Sequence, residues 1–74
     1  MEWEKMTIKE LYQLSGIQRK KIIEVFEINP NTWDKVLIGD LSLTPEKEKA
    51  VRIYLRTIIE LGQVYNFYFK KERN

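Results

Sequence analysis

Histidine and cysteine are both absent from the 74-residue chain, and with them go the side chains that most often serve as general base, nucleophile or soft metal ligand. Most acids stand beside a base at helical spacing, Lys20 with Glu24, Glu48 with Arg52 and Arg56 with Glu60. That is the layout of solvated helix faces and not of a tuned acid and base pair. No run of acids has the spacing a calcium loop needs. The chain is expected to be no enzyme and to hold no cofactor and no metal. What remains is the chemistry of binding. A basic run, Arg19-Lys20-Lys21, is followed by a polar stretch from Asn29 to Thr32 and by Lys35. An aromatic run, Tyr65, Phe67, Tyr68 and Phe69, then precedes the basic end Lys70, Lys71 and Arg73.

Charge limits what that chemistry can be. Thirteen Lys and Arg against eleven Asp and Glu leave a net charge of +2, well short of a strongly basic nucleic-acid coat, so any anion contact depends on local placement. A hydrophobic share of 43% with 32% charged residues is typical of a soluble globular protein, and no stretch approaches the roughly 18 to 20 apolar residues of a membrane span. The opening MEWEKMTIKEL lacks the apolar run of a secretory signal, which gives the expectation of a cytoplasmic protein without membrane contact. A chain this short allows one domain with a modest core. Without disulfides, helix packing or self-association must supply its stability.

Four helices are needed to position these residues, and their ends are marked. Thr7 caps an apolar pattern of Ile8, Leu11 and Tyr12, Glu10 completes a capping box, and Gly16 supplies a left-handed stop after Ser15. A second helix over 18–27 places Ile22, Val25 and Phe26 on one face and Arg19, Lys20, Lys21 and Glu24 on the other. Asn29-Pro30 is a cap and first-turn signal, so a third helix over 30–38 turns Trp33, Val36 and Leu37 inward before Gly39. Thr44-Pro45-Glu46 repeats the signal for a fourth helix over 45–61, with Val51, Tyr54, Leu55 and Ile58 as its core stripe. Beyond Gly62, residues 63–70 fit either a helical extension or a short strand.

The second and third helices form a pair joined by a tight turn at Glu27-Ile28. The later helix has a polar leading edge, Asn29 to Asn31, over an apolar back, as a helix needs when its first turn enters the major groove of DNA. At this point the chain resembles the lambda-repressor-like, or Xre-type, helix-turn-helix family of bacterial and phage regulators over about residues 7–60. IKELYQLSGI looks like the family's first helix and glycine turn, QRKKIIEVFEI like its positioning helix, and NPNTWDKVLIGD like its recognition helix. Two positions depart from the pattern. Glu27 stands where a glycine is usual, at a cost of about 1 kcal/mol if that residue is left-handed. Ile23 replaces a small residue that lets the helices approach.

The resemblance implies an all-α bundle of four to five short helices and a small transcriptional regulator, Cro-like in size, of a phage or bacterium. It would act at the nucleoid by occupying an operator as a homodimer. Carried over, the residues that reach double-stranded DNA are Pro30, Asn31 and Lys35, with Asn29 and Arg19 at helix ends to hold phosphates and Lys20 beside them. Asn pairs with adenine and Lys addresses guanine, while Thr32 adds a methyl or hydroxyl contact. Asp34 is unfavourable near phosphate unless it accepts from a cytosine amino group or is turned away. The aromatic run Tyr65, Phe67, Tyr68 and Phe69 exceeds what so small a core can cover, and it is expected to form the dimer interface.

Three alternatives stay open on the sequence. The glycine turn at Gly16 could itself be the helix-turn-helix turn, which puts Gln18, Arg19 and Lys21 on the DNA. The low net charge, Pro30 in a base-reading position and the aromatic end also suit a helix-turn-helix scaffold used as a protein-binding module, such as a phage inhibitor. Finally, Arg19 to Lys21 can be a solvated face, Lys70 to Arg73 a frayed end, and the aromatic segment a piece of the chain's own core.

Overall fold

The computed structural model describes residues 2–65. A short 3-10 turn at Trp3–Lys5 precedes four α-helices, α1 (Ile8–Ser15), α2 (Arg19–Phe26), α3 (Pro30–Leu37) and α4 (Pro45–Tyr65). Among the described residues there is no strand. The 3-10 turn has no signal in the sequence pattern. Trp3 is placed by tertiary contacts, lying half-buried against the core with the Arg56 guanidinium 5.4 Å from its ring centre, a cation–π distance.

Three of the four α-helices begin on a side-chain cap that satisfies an orphan backbone donor. Thr7 and Glu10 exchange bonds at 3.0 and 3.1 Å in a full capping box. The Asn29 side chain accepts from the Asn31 N–H at 2.9 Å, and Thr44 Oγ1 accepts from the Lys47 N–H at 3.3 Å. Gln18 precedes α2 without a side-chain cap bond.

The ends are equally specific. After α2 the Glu27 N–H bonds back to the Glu24 carbonyl and the Ile28 N–H to the Ile23 carbonyl at 3.0 Å. This is the paired pattern of a Schellman stop, with Ile28 buried in the core and Ile23 packed against it. It requires a left-handed residue, and Glu27 provides it at φ 52° and ψ 47°. Gly39, at φ 88°, does the same for α3, where Asp40 N–H bonds to the Lys35 carbonyl at 2.9 Å. Past Gly62 the backbone stays helical to Tyr65, so the first part of 63–70 extends α4, and residues 66–70 lie outside the described residues.

The core is built from Ile8, Leu11, Ile22, Ile28, Trp33, Val51, Leu55 and Ile59. Trp33 is fully buried at its centre, and the Tyr12 ring meets it edge-on at a centroid distance of 5.4 Å. Phe26 on α2 makes the same kind of contact with Tyr54 on α4 at 5.3 Å. Three expectations need correction. Val25 points outward, 42% exposed, because the inward face of α2 is made by Ile22, Ile23 and Phe26, a stripe on which position 25 does not lie. Ile58 is only half-buried while Ile59 is buried, since Val51, Leu55 and Ile59 follow one straight i, i+4 row. Lys20 and Glu24 form no ion pair, whereas Glu48 with Arg52 and Arg56 with Glu60 do. A fully solvated pair gains too little to hold two long side chains in place.

The Glu27 backbone gives a direct test. Replacing Glu27 with Gly removes the left-handed penalty at a position whose geometry the Schellman stop demands, and should raise unfolding stability by about 1 kcal/mol. Urea denaturation measures it, and a lower midpoint in the variant would show that the turn is not left-handed in solution.

Candidate nucleic-acid interface

The candidate interface is assembled from the start of α2 and the outer face of α3. Asn29, Pro30, Asn31, Asp34, Lys35 and Ile38 are all exposed, and on a helix these positions form adjoining i, i+4 rows on one side. Trp33 occupies the other side and anchors it. Thr32 is half-buried. The helix therefore has the two-sided character expected of it, with amide and ammonium groups facing solvent over an aromatic root. On α2, Arg19, Lys20 and Lys21 are exposed, but only Arg19 reaches α3.

That reach alters the part assigned to Arg19. Its Nε donates to Asp34 Oδ1 at 3.0 Å and its Nη2 to Asp34 Oδ2 at 2.9 Å, the parallel, two-pronged geometry that a guanidinium and a carboxylate favour. Nη2 also donates to the Pro30 carbonyl at 3.3 Å. Arg19 is thus a tie between helices, and Asp34 is neither turned away nor free to meet a cytosine. Asn29 is likewise engaged, its oxygen fixed in the α3 cap. Sequence reasoning missed the tie because its partners stand fifteen residues apart. The signal available was an acid on α3 at a position otherwise hostile to phosphate, beside an arginine at a helix start.

Turn geometry alone does not choose between the two helix-turn-helix registers. Both the α1–α2 and α2–α3 junctions span three residues, Gly16 to Gln18 and Glu27 to Asn29, and each begins with a left-handed residue. Occupancy separates them at one position only: Arg19, which leads α2, is tied to Asp34 and Pro30, whereas Gln18 and Lys21 of the one register and Asn31 and Lys35 of the other all have side chains without protein partners among the described residues. The expected dimer residues Phe67, Tyr68 and Phe69, and the side chain of Tyr65, lie outside the described residues.

Two further surface features adjoin this face. Ile38 and Leu41 are 69% and 45% exposed, and with Val36, Leu37, Leu43 and Ile8 they border an open cavity of about 570 Å³ between α3, the following loop and α4. No cluster of acids able to hold a metal occurs among the described residues, and no described helix is long and apolar enough to cross a membrane. Comparison with protein-family models, curated proteins and solved structures gives no match to this chain.

The tie has a signature in acid. Its hydrogen bond to Arg19, together with the guanidinium charge, holds the Asp34 carboxyl below the ordinary aspartate value of 3.8. The Thr7 backbone N–H and then the Thr7 side chain hold the Glu10 carboxyl below 4.5. Both groups bind their protons more weakly folded than unfolded, so their stabilisation is complete above the ordinary values and is lost as pH falls through the lowered ones. Urea midpoints should be insensitive to these two groups at neutral pH and fall below about pH 4.5. The fall should be shallower in Asp34→Asn, and identical profiles would remove the Arg19 pair from the energetics.

Proposed function

We propose that the chain is a small sequence-specific DNA-binding regulator of the lambda-repressor-like type, reading the major groove of duplex DNA with α3. The observation that carries this reading is the exposed polar face of α3, with Asn31 and Lys35 lacking protein partners among the described residues, set on the buried root of Trp33. Two helices of eight residues joined by a three-residue turn with a left-handed first position fit the helix-turn-helix pattern. Asn31 and Lys35 carry base recognition, and Thr32, half-buried, offers its methyl or hydroxyl at the edge. Lys20 and the two helix starts hold the phosphate backbone. A homodimer using the chain's aromatic end, with Tyr65, Phe67, Tyr68 and Phe69, would read two half-sites related by a two-fold axis.

A second reading has its own support. The exposed Ile38 and Leu41 beside the open cavity are apolar surface of the kind found in protein interfaces, which favours a protein-binding module built on the same scaffold. The two readings differ in what Asn31 and Lys35 do.

Selection of bound duplexes from a random pool at moderate salt should return a preferred site. Asn31→Ala and Lys35→Ala should each relax preference at one base position by about 1–3 kcal/mol while leaving the helical circular-dichroism signal intact. A pool that stays random after repeated rounds, alongside a stoichiometric protein partner, would replace the regulator reading with the module.

A further inference from the structure

The Arg19 guanidinium is only partly used by its tie. Of its five N–H groups, Nε faces one oxygen of Asp34 while Nη2 faces the other and the Pro30 carbonyl. Nη1 has no partner among the described residues, and the side chain keeps 46% of its surface open to solvent. Each oxygen of the carboxylate opposite accepts one of these bonds, at 3.0 and 2.9 Å, while the Asp34 side chain stays 54% exposed. An aspartate on the reading face would ordinarily repel a phosphate backbone, yet here its charge is matched at contact.

Resting on the DNA reading above, we propose that Asp34 is a positioning residue for backbone binding: it holds Arg19 as a rigid clamp whose free Nη1 edge grips a phosphate where α2 begins. Three consequences follow from the geometry. The clamp is immobilised before binding, so its rotamer freedom is not lost on contact with DNA. The same bonds fix α3 to the start of α2, so that the phosphate grip and the reading residues Asn31 and Lys35 move as one body. Removing the acid therefore weakens binding even though the protein gains positive charge, the reverse of what simple repulsion requires.

The experiment titrates a mixed-sequence duplex with wild type, Arg19→Met, Asp34→Ala and the exchanged pair Arg19→Asp with Asp34→Arg, across a salt series, with a thermal melt of each. Arg19→Met should lower the slope of log affinity against log salt by about 0.9, the share of one phosphate. Asp34→Ala should weaken binding about two- to tenfold, the range that immobilising one long side chain is worth. The exchanged pair should recover melting temperature over the single variants but not affinity, because its cation now sits on α3; a merely structural brace would recover both. Tighter binding by Asp34→Ala, an unchanged slope in Arg19→Met, or affinity restored by the exchange each overturns the proposal while leaving DNA binding standing. Absence of duplex binding by wild type even at low salt overturns both.

Discussion

Burial of the Trp33 indole under α3 is the constraint on which the arrangement depends. The ring is fully excluded from water and wedged against Tyr12 of α1, and it shares a core with Ile22 of α2 and with Val51 and Leu55 of α4. It is thereby the point at which all four helices meet. The burial is imperfect in one respect, because the indole N–H has no hydrogen-bond partner among the described residues. An orphan donor costs about 1–3 kcal/mol, against about 4–6 kcal/mol from removing 150–250 Å² of a large aromatic from water. The apolar gain wins, and the ring stays. Because α3 is only eight residues long, that root is also what keeps it helical, since so short a segment is marginal in water on its own.

Anchoring one side of α3 leaves the other side free, and the turn before it decides which way that side looks. The Schellman stop of α2 sets the chain direction, and Ile28 then plugs into the core as the first residue beyond it. Glu27 accepts a left-handed backbone to make this possible. A glycine would do so without strain, so the presence of glutamate means that the surrounding contacts enforce a conformation the residue itself disfavours. Ile23, larger than expected at a close helix approach, packs against the core beside this turn, and its carbonyl accepts the Ile28 N–H that closes the motif.

The elements that were legible in the sequence are those written in local chemistry. Thr7 with Glu10, Asn29-Pro30, Thr44-Pro45, Gly16 and Gly39 all act within a few residues, and each marks the boundary where it was expected. The inward turn of Trp33 was also readable from its spacing to Val36 and Leu37. Less legible was anything that depends on the exact rotation of a helix, such as Val25 facing out or Ile59 facing in, because one residue changes the direction by about 100° and amphipathic patterns tolerate that error. Contacts across the chain were invisible. The Arg19–Asp34 tie and the seat of Trp3 beneath Arg56 exist only once the helices have been placed, and the first of them changes what Arg19 can do at the surface.

The tie belongs to a wider division of labour among the cations. Every described arginine faces an acid, Arg19 with Asp34, Arg52 with Glu48 and Arg56 with Glu60, and Arg52 also donates to the Met6 carbonyl at 2.6 Å. Planar guanidinium groups act here as joints, the role their fixed fork of donors favours. The lysines of α2 and α3, Lys20, Lys21 and Lys35, are exposed and form no ion pair among the described residues. The unpaired cations of this surface are therefore lysines, while the arginines are held in pairs. The net charge of +2 does not come from this surface, because residues 2–65 hold ten Lys and Arg against ten Asp and Glu, and the exposed Glu24, Glu27 and Asp40, unpaired among the described residues, stand on or beside the same helices as these lysines.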